Sequence, residues 1–137
     1  MTNIEFVEFN IASYLHDKAI RAFGGEPGLR DKGLFESAML RPVNKLTYVG
    51  VEHSDVFDLA AAYAFGLVKN HTFNDGNKRT AWAVAVMFLN LNGVVVDVPT
   101  NDAVANVVRL ANSSLSEDEF AVWLRSFSQP PGGDADL

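Results

Sequence analysis

At 137 residues, 48% of them apolar, the chain is the size of one domain and long enough to bury a core. No apolar run reaches the roughly eighteen residues that cross a bilayer, and Glu5 and Glu8 deny the N-terminus a basic-then-apolar leader pattern, so a cytosolic protein without membrane contact is expected. A net charge of −6 with scattered Lys and Arg argues against general nucleic-acid binding, zero cysteines exclude disulfides and thiolate metal sites, and three histidines without helical pair spacing argue against structural zinc.

Apolar residues recur at helical spacing through most of the sequence, and start and stop signals divide it into nearly all-helical segments. A first helix runs from about Asn10 to Phe23 and stops at Gly24-Gly25, where a left-handed C-terminal residue is easily adopted. Glu26-Pro27-Gly28 is a turn. Asp31 caps a short helix carrying Leu34, Phe35, Ala38 and Met39 inward, which should end before Pro42 because proline lacks the N–H to continue it. Leu46 to His53 is then a non-helical connector. Ser54 is the expected cap of a helix whose apolar girth, from Phe57 through Leu59, Ala60, Ala61, Tyr63, Ala64, Leu67 and Val68, is too wide for a surface element. A second central helix, from about Asn77 to Asn92, carries Ala81, Val84, Ala85, Met87, Phe88 and Leu91.

Val94-Val95-Val96 suggests a short strand, and Thr100 can cap a helix to about Asn112. Ser116 and Glu119 form a capping box for a last helix with Phe120, Trp123, Leu124 and Phe127. The expectation is an all-α compact bundle of about six helices over residues 1–129, with 130–137 a flexible C-terminal tail.

The stretch His71-Thr72-Phe73-Asn74-Asp75-Gly76-Asn77-Lys78-Arg79 joins the two central helices. Asp75-Gly76-Asn77 is a turn sequence that makes Asn77 a candidate N-cap and puts Lys78 and Arg79 in the first helical turn, where cations oppose the helix dipole at roughly 0.3–1 kcal/mol each. Such a start expects an anion, held by free backbone N–H groups that Gly76 lets approach closely. Two solvated surface cations opposite Asp75 are the plain alternative. An imidazole at His71 can take a proton from a hydroxyl and so create a nucleophile, although a lone His here also suits a helix C-terminus. Phe73 reads as a core aromatic pinning the loop. Asp75 is either a helix N-terminal acid or a ligand for a hard divalent cation that binds phosphate oxygens.

This stretch resembles the signature loop of Fic/Doc proteins, His-x-Phe-x-Asp/Glu-Gly-Asn-Gly-Arg with a further Arg beyond it. Lys78 stands where the nucleotidyl-transferring members have Gly, and Trp82 where they have the second Arg. Both departures are those of the Doc (death-on-curing) branch, the toxins of toxin–antitoxin pairs. Tyr14-Leu15-His16-Asp17, Phe23-Gly24-Gly25, Gly28-Leu29-Arg30-Asp31, Leu34-Phe35-Glu36-Ser37-Ala38, Thr80-Ala81 through Phe88-Leu89, and Asn92-Gly93 extend the similarity over residues 10 to 128 or so.

The resemblance implies His71 as general base, Phe73 as loop anchor, Asp75 as the Mg ligand, Gly76 and the adjacent amides as the seat of the transferred phosphate, Asn77 as loop holder and phosphate contact, and Lys78 and Arg79 as stabilisers of developing charge. It further implies ATP and Mg as cofactors, elongation factor Tu as protein substrate, and a Phd-like antitoxin whose amphipathic C-terminal segment lies in an apolar groove. No self-restraining Ser/Thr-x-x-x-Glu-Gly/Asn helix occurs, so control should come from another chain. His16-Asp17 is read as a polar pair on the first helix and His53 as a loop residue. Four functions compete: a Doc-type kinase moving the γ-phosphate, a Fic-type nucleotidyl transferase, a non-catalytic interaction module and a metal-dependent hydrolase. Lys78 fills the space that Gly leaves for the inner part of a triphosphate, and Trp82 cannot bind outer phosphates, so the kinase is favoured.

Overall fold

The computed structural model describes residues 3–50 and 52–128; the expected tail at 130–137 lies outside them. Within the described residues the chain is all-α, with six helices: α1 Phe9–Phe23, α2 Lys32–Val49, α3 Val56–Lys69, α4 Asn77–Leu91, α5 Thr100–Ala111 and α6 Glu117–Arg125. The breadth of apolar residues around α3 is explained by its position: α2, α4, α5 and α6 all pack on it, and ten of its fourteen residues are buried. None of these helices is long and apolar enough to cross a membrane.

The first correction concerns α2, which does not stop before Pro42 but runs through it to Val49, ending at Gly50. The expected connector from Leu46 therefore shrinks to the residues after the helix. Proline inside a helix costs about 3 kcal/mol through its lost hydrogen bond and ring clash, and tertiary packing offsets that here. Phe35, Ala38, Met39 and Pro42 are all buried, and Ala38 lies so close to Gly66 of α3 that a Cβ there would sit 3.1 Å from the Ala38 Cα. The second half of α2 is also tied to α6, where Glu117 pairs with Arg41 and, at 2.8 Å, with Lys45.

Three expected caps are displaced by one residue. Asp55, not Ser54, caps α3: its carboxylate accepts from the Asp58 amide at 2.9 Å and the Asp58 carboxylate accepts from the Asp55 amide at 3.0 Å. A carboxylate can also bind Arg125, whose Nε and Nη2 donate at 2.8 and 2.9 Å, which a hydroxyl could not match. Burial pushes the Asp55 carboxyl up, but the Arg125 pairing and the Asp58 amide outweigh it and hold the group below its ordinary value. Ser54 is buried with its hydroxyl unpartnered among the described residues. Helix α4 starts from Gly76 rather than Asn77, and α5 from Pro99 rather than Thr100. The capping box of Ser116 and Glu119 on α6 forms as expected. Among the described residues Val94–Val96 makes no strand, only one bridge between Val96 and Ser128.

Candidate functional site

The loop between α3 and α4 is built from both ends. Helix α3 closes at Asn70, and His71 follows with φ 48, in the left-handed region that usually ends a helix through glycine. Thr72 and Phe73 then turn inward and are buried, while Asn74 and Asp75 are exposed. Gly76 begins α4 at φ 77, and a Cβ on it would lie 3.2 Å from the Ile20 side chain and 3.6 Å from the His16 ring. Glycine is thus demanded here by backbone and by space alike.

Asn77 does not cap α4 with its side chain but clips the loop to it. Its Oδ1 accepts from the Phe73 amide and its Nδ2 donates to the Phe73 carbonyl, both at 2.9 Å. Replacing Asn77 with Ala would strand both backbone groups of a buried residue and should cost about 1–3 kcal/mol of stability. Lys78→Ala, which removes a cation from the unfavourable end of the helix dipole, should be neutral or stabilising by up to about 1 kcal/mol. Urea unfolding midpoints of the two variants check both.

Sequence reasoning missed two groups that shape the loop. His16, read only as part of a polar pair on the first helix, is 2% exposed. Its ring stacks on Phe73 at 3.8 Å between centroids and 9° between planes, and its Nε2 lies 2.7 Å from the Asp75 carbonyl oxygen. A carbonyl only accepts, so Nε2 carries the hydrogen. The signal was in the spacing, since Ala12, His16 and Ile20 fall on one face of α1.

The second missed group is the segment from Glu26 to Asp31, which runs antiparallel to the loop as a brace. Arg30 N–H donates to the Thr72 carbonyl at 2.9 Å, Leu29 bridges Phe73, Asn74 N–H donates to the Gly28 carbonyl at 3.1 Å, and Glu26 N–H donates to the Asp75 carboxylate at 2.7 Å. Nothing in local periodicity announces such a pairing.

His71, Asp75, Gly76, Asn77, Lys78 and Arg79 therefore all lie on one loop and the first turn of the helix it feeds. His71, Asp75, Lys78 and Arg79 are exposed, and the His71 ring makes no hydrogen bond among the described residues. Helices α3, α5 and α6 carry acids in the first turn, whereas α4, like α1 and α2, carries none; α4 also lacks a capping side chain, as α1 and α5 do, and presents Lys78 and Arg79. Open N–H groups, a helix dipole and two cations suit a bound phosphate. Asp75 is available as one carboxylate ligand, and no cluster of three or more metal-ligating side chains occurs among the described residues. One carboxylate plus substrate phosphates and water is a usual Mg environment, so the residues fit that ion.

Beside Lys78, Arg79 and Trp82 opens an apolar groove of about 640 Å³ between α1, α4 and α5. Arg79 caps one end, its guanidinium 4.1 Å from the Phe23 ring centroid. Trp82, which also lines the groove, packs toward α6 as well, 5.8 Å from the Trp123 ring. His53 sits in the α2–α3 connector, its amide donating to the Gly50 carbonyl.

An all-helical bundle that presents this loop between its two central helices is the arrangement of a known family, and the sequence pattern of the Fic/DOC family matches residues 7–89. The chain belongs to that family, in its Doc branch. It is 41% identical over 112 residues to a protein of Mycolicibacterium smegmatis named Toxin Doc, an alignment covering 78% of this chain and 83% of that one. It is 42% identical over 82 residues to the Protein kinase doc of Escherichia phage P1, covering 60% of this chain and 64% of the phage protein.

Proposed function

We propose that this chain is the toxin of a toxin–antitoxin pair and acts in the cytosol as an ATP-dependent protein kinase. The observation that carries the reading is the sharing of one loop by an exposed imidazole, His71, and an open helix N-terminus carrying Lys78 and Arg79. The names of the two relatives, a toxin and a protein kinase, support it. In the reaction, a Ser or Thr hydroxyl oxygen of the target bonds to the γ-phosphorus of ATP, the bond from that phosphorus to the β–γ bridging oxygen breaks, and ADP leaves. His71 takes the hydroxyl proton. The amides at Gly76 and Asn77 and the side chains of Lys78 and Arg79 hold the phosphoryl oxygens as charge redistributes, while Asp75 would hold Mg, which supplies charge neutralisation when bound. The target implied by the family resemblance is elongation factor Tu, whose modification would stop translation.

Nucleotidyl transfer of the Fic type is the competing chemistry, and two features weigh against it. Lys78 occupies the position that this chemistry leaves to Gly, and Trp82 faces Trp123 where an Arg would bind outer phosphates.

Control falls to a Phd-like antitoxin. The groove of α1, α4 and α5 has the apolar floor that an amphipathic helix needs, with Lys18, Lys78 and Arg79 on its border to meet acidic side chains. A helix seated there would cover Lys78 and Arg79 and so block the nucleotide. Production of the chain alone at high level in bacteria is expected to arrest growth, and the His71→Ala variant is not. Val104→Glu, on the exposed wall of the groove, should leave arrest intact while the cognate antitoxin loses its protection. A harmless wild-type chain would overturn the toxin reading.

A further inference from the structure

The end of α3 is held by a single side chain from outside the signature loop. Arg30 Nε donates to the His71 carbonyl at 2.6 Å and Arg30 Nη2 to the Asn70 carbonyl at 2.8 Å, while the Arg30 amide donates to the Thr72 carbonyl at 2.9 Å. Three consecutive carbonyls thus converge on one residue. The last carbonyls of a helix are ordinarily left to water or to a capping glycine turn. Here the carbonyls of the C-cap Asn70 and of His71 just beyond it are bound by a guanidinium whose rigid fork matches two acceptors at once. Among the described residues no carboxylate pairs with Arg30, so its charge is directed at the negative end of the α3 dipole.

The two carbonyls have a geometric meaning. Asn70 O belongs to the peptide plane before the His71 Cα, and His71 O to the plane after it. Fixing both planes fixes the two dihedrals of His71, and with them the direction of its Cα–Cβ bond. That residue gains from such support, because its φ of 48 is a conformation uncommon for any side chain with a Cβ.

Resting on the reading of His71 as the base, we infer that Arg30 is the positioning residue of the transfer reaction. It does not touch the reacting atoms but holds the imidazole in the direction from which the target hydroxyl is deprotonated. Displacing a reacting group by about an ångström typically costs on the order of a hundredfold in rate.

The test has two arms. In the first, initial rates of γ-label transfer from ATP into bacterial lysate protein are measured against ATP concentration. Arg30→Met, which keeps an unbranched apolar stem but no donors, should lower the maximal rate roughly tenfold or more while leaving the apparent KM for ATP within about twofold, since the proposed anion seat on α4 is separate. Arg30→Lys, which keeps the charge but not the fork, should recover part of the rate. A wild-type maximal rate in Arg30→Met overturns the inference. So does a raised KM together with equal loss in the Met and Lys variants, which is the behaviour of a brace for the whole loop. In the second arm, urea midpoints are compared for Arg30→Met in the native background and in the His71→Gly background. Glycine needs no help to adopt a positive φ, so the midpoint shift caused by Arg30→Met should be smaller there. Equal shifts in both backgrounds would mean that Arg30 does not hold His71. This arm requires no activity, so a wild-type chain that transfers no label would count against the kinase reading alone.

Discussion

Replacing His71 with glycine is expected to abolish transfer while leaving the protein as stable as the native chain, or more stable by up to about 1 kcal/mol. Position 71 follows the last turn of α3 at φ 48, where glycine is the residue that helix ends ordinarily select. The imidazole is exposed and its ring makes no hydrogen bond among the described residues, so removing it forfeits little packing. Loss of a general base should reduce the transfer rate by roughly a hundred- to ten-thousandfold. His71→Ala separates the two effects: it should lose as much rate but gain no stability, because its Cβ keeps the strain. Urea unfolding and initial-rate measurements on the three proteins decide the matter. A marked fall in stability for the glycine variant would make His71 a structural cap, and retained transfer would place the base elsewhere.

The phosphorus that moves should be the terminal one. With ATP labelled at the γ position, label should appear on a protein of bacterial lysate, and with α-labelled ATP it should not. The physical ground is the start of α4, where Lys78 adds bulk and charge to the first turn and where Trp82, one turn on and packed against Trp123, offers no cation for outer phosphates. Removal of Mg by a chelator should stop the reaction, since the charge on the transferring group must be neutralised and Asp75 is the carboxylate proposed to hold the ion. Alpha label on the target, or a mass increase equal to AMP, would reverse the assignment. Lys78→Gly should slow γ transfer by on the order of a hundredfold to a thousandfold, the range for removing one charge-stabilising donor. It need not create AMP transfer, because Trp82 remains.

The places where sequence and structure part company share a cause. Pro42, Ser54 and Asn77 were each assigned the role that their residue type prefers locally. Pro42 lies mid-helix because its ring is buried against the core. Ser54 yields the cap to Asp55 because only a carboxylate can serve both the Asp58 amide and Arg125, a residue seventy positions away. Asn77 leaves the cap to Gly76 because its amide can satisfy both backbone groups of Phe73. His16 belongs with them: read as one of a polar pair on the first helix, it is buried by the fold between Phe73 and the Asp75 carbonyl.

By itself the sequence determined the helical class, the two apolar central helices and the loop between them, because 3.6-residue periodicity, glycine stops and the identity of successive loop residues are properties of neighbours along the chain. The candidate base, the anion seat and the carboxylate were legible for the same reason, since His71, Asp75 and Gly76 through Arg79 fall within nine consecutive residues. Only the tertiary structure decided what holds that loop in shape: the stacking of His16 beneath it, the antiparallel brace of Glu26 to Asp31 beside it, and the Arg30 fork across the end of α3. Those partners lie about forty to sixty residues from the groups they bind. Their pairing depends on how α1 and α2 pack around α3 and α4, and local periodicity carries no record of that.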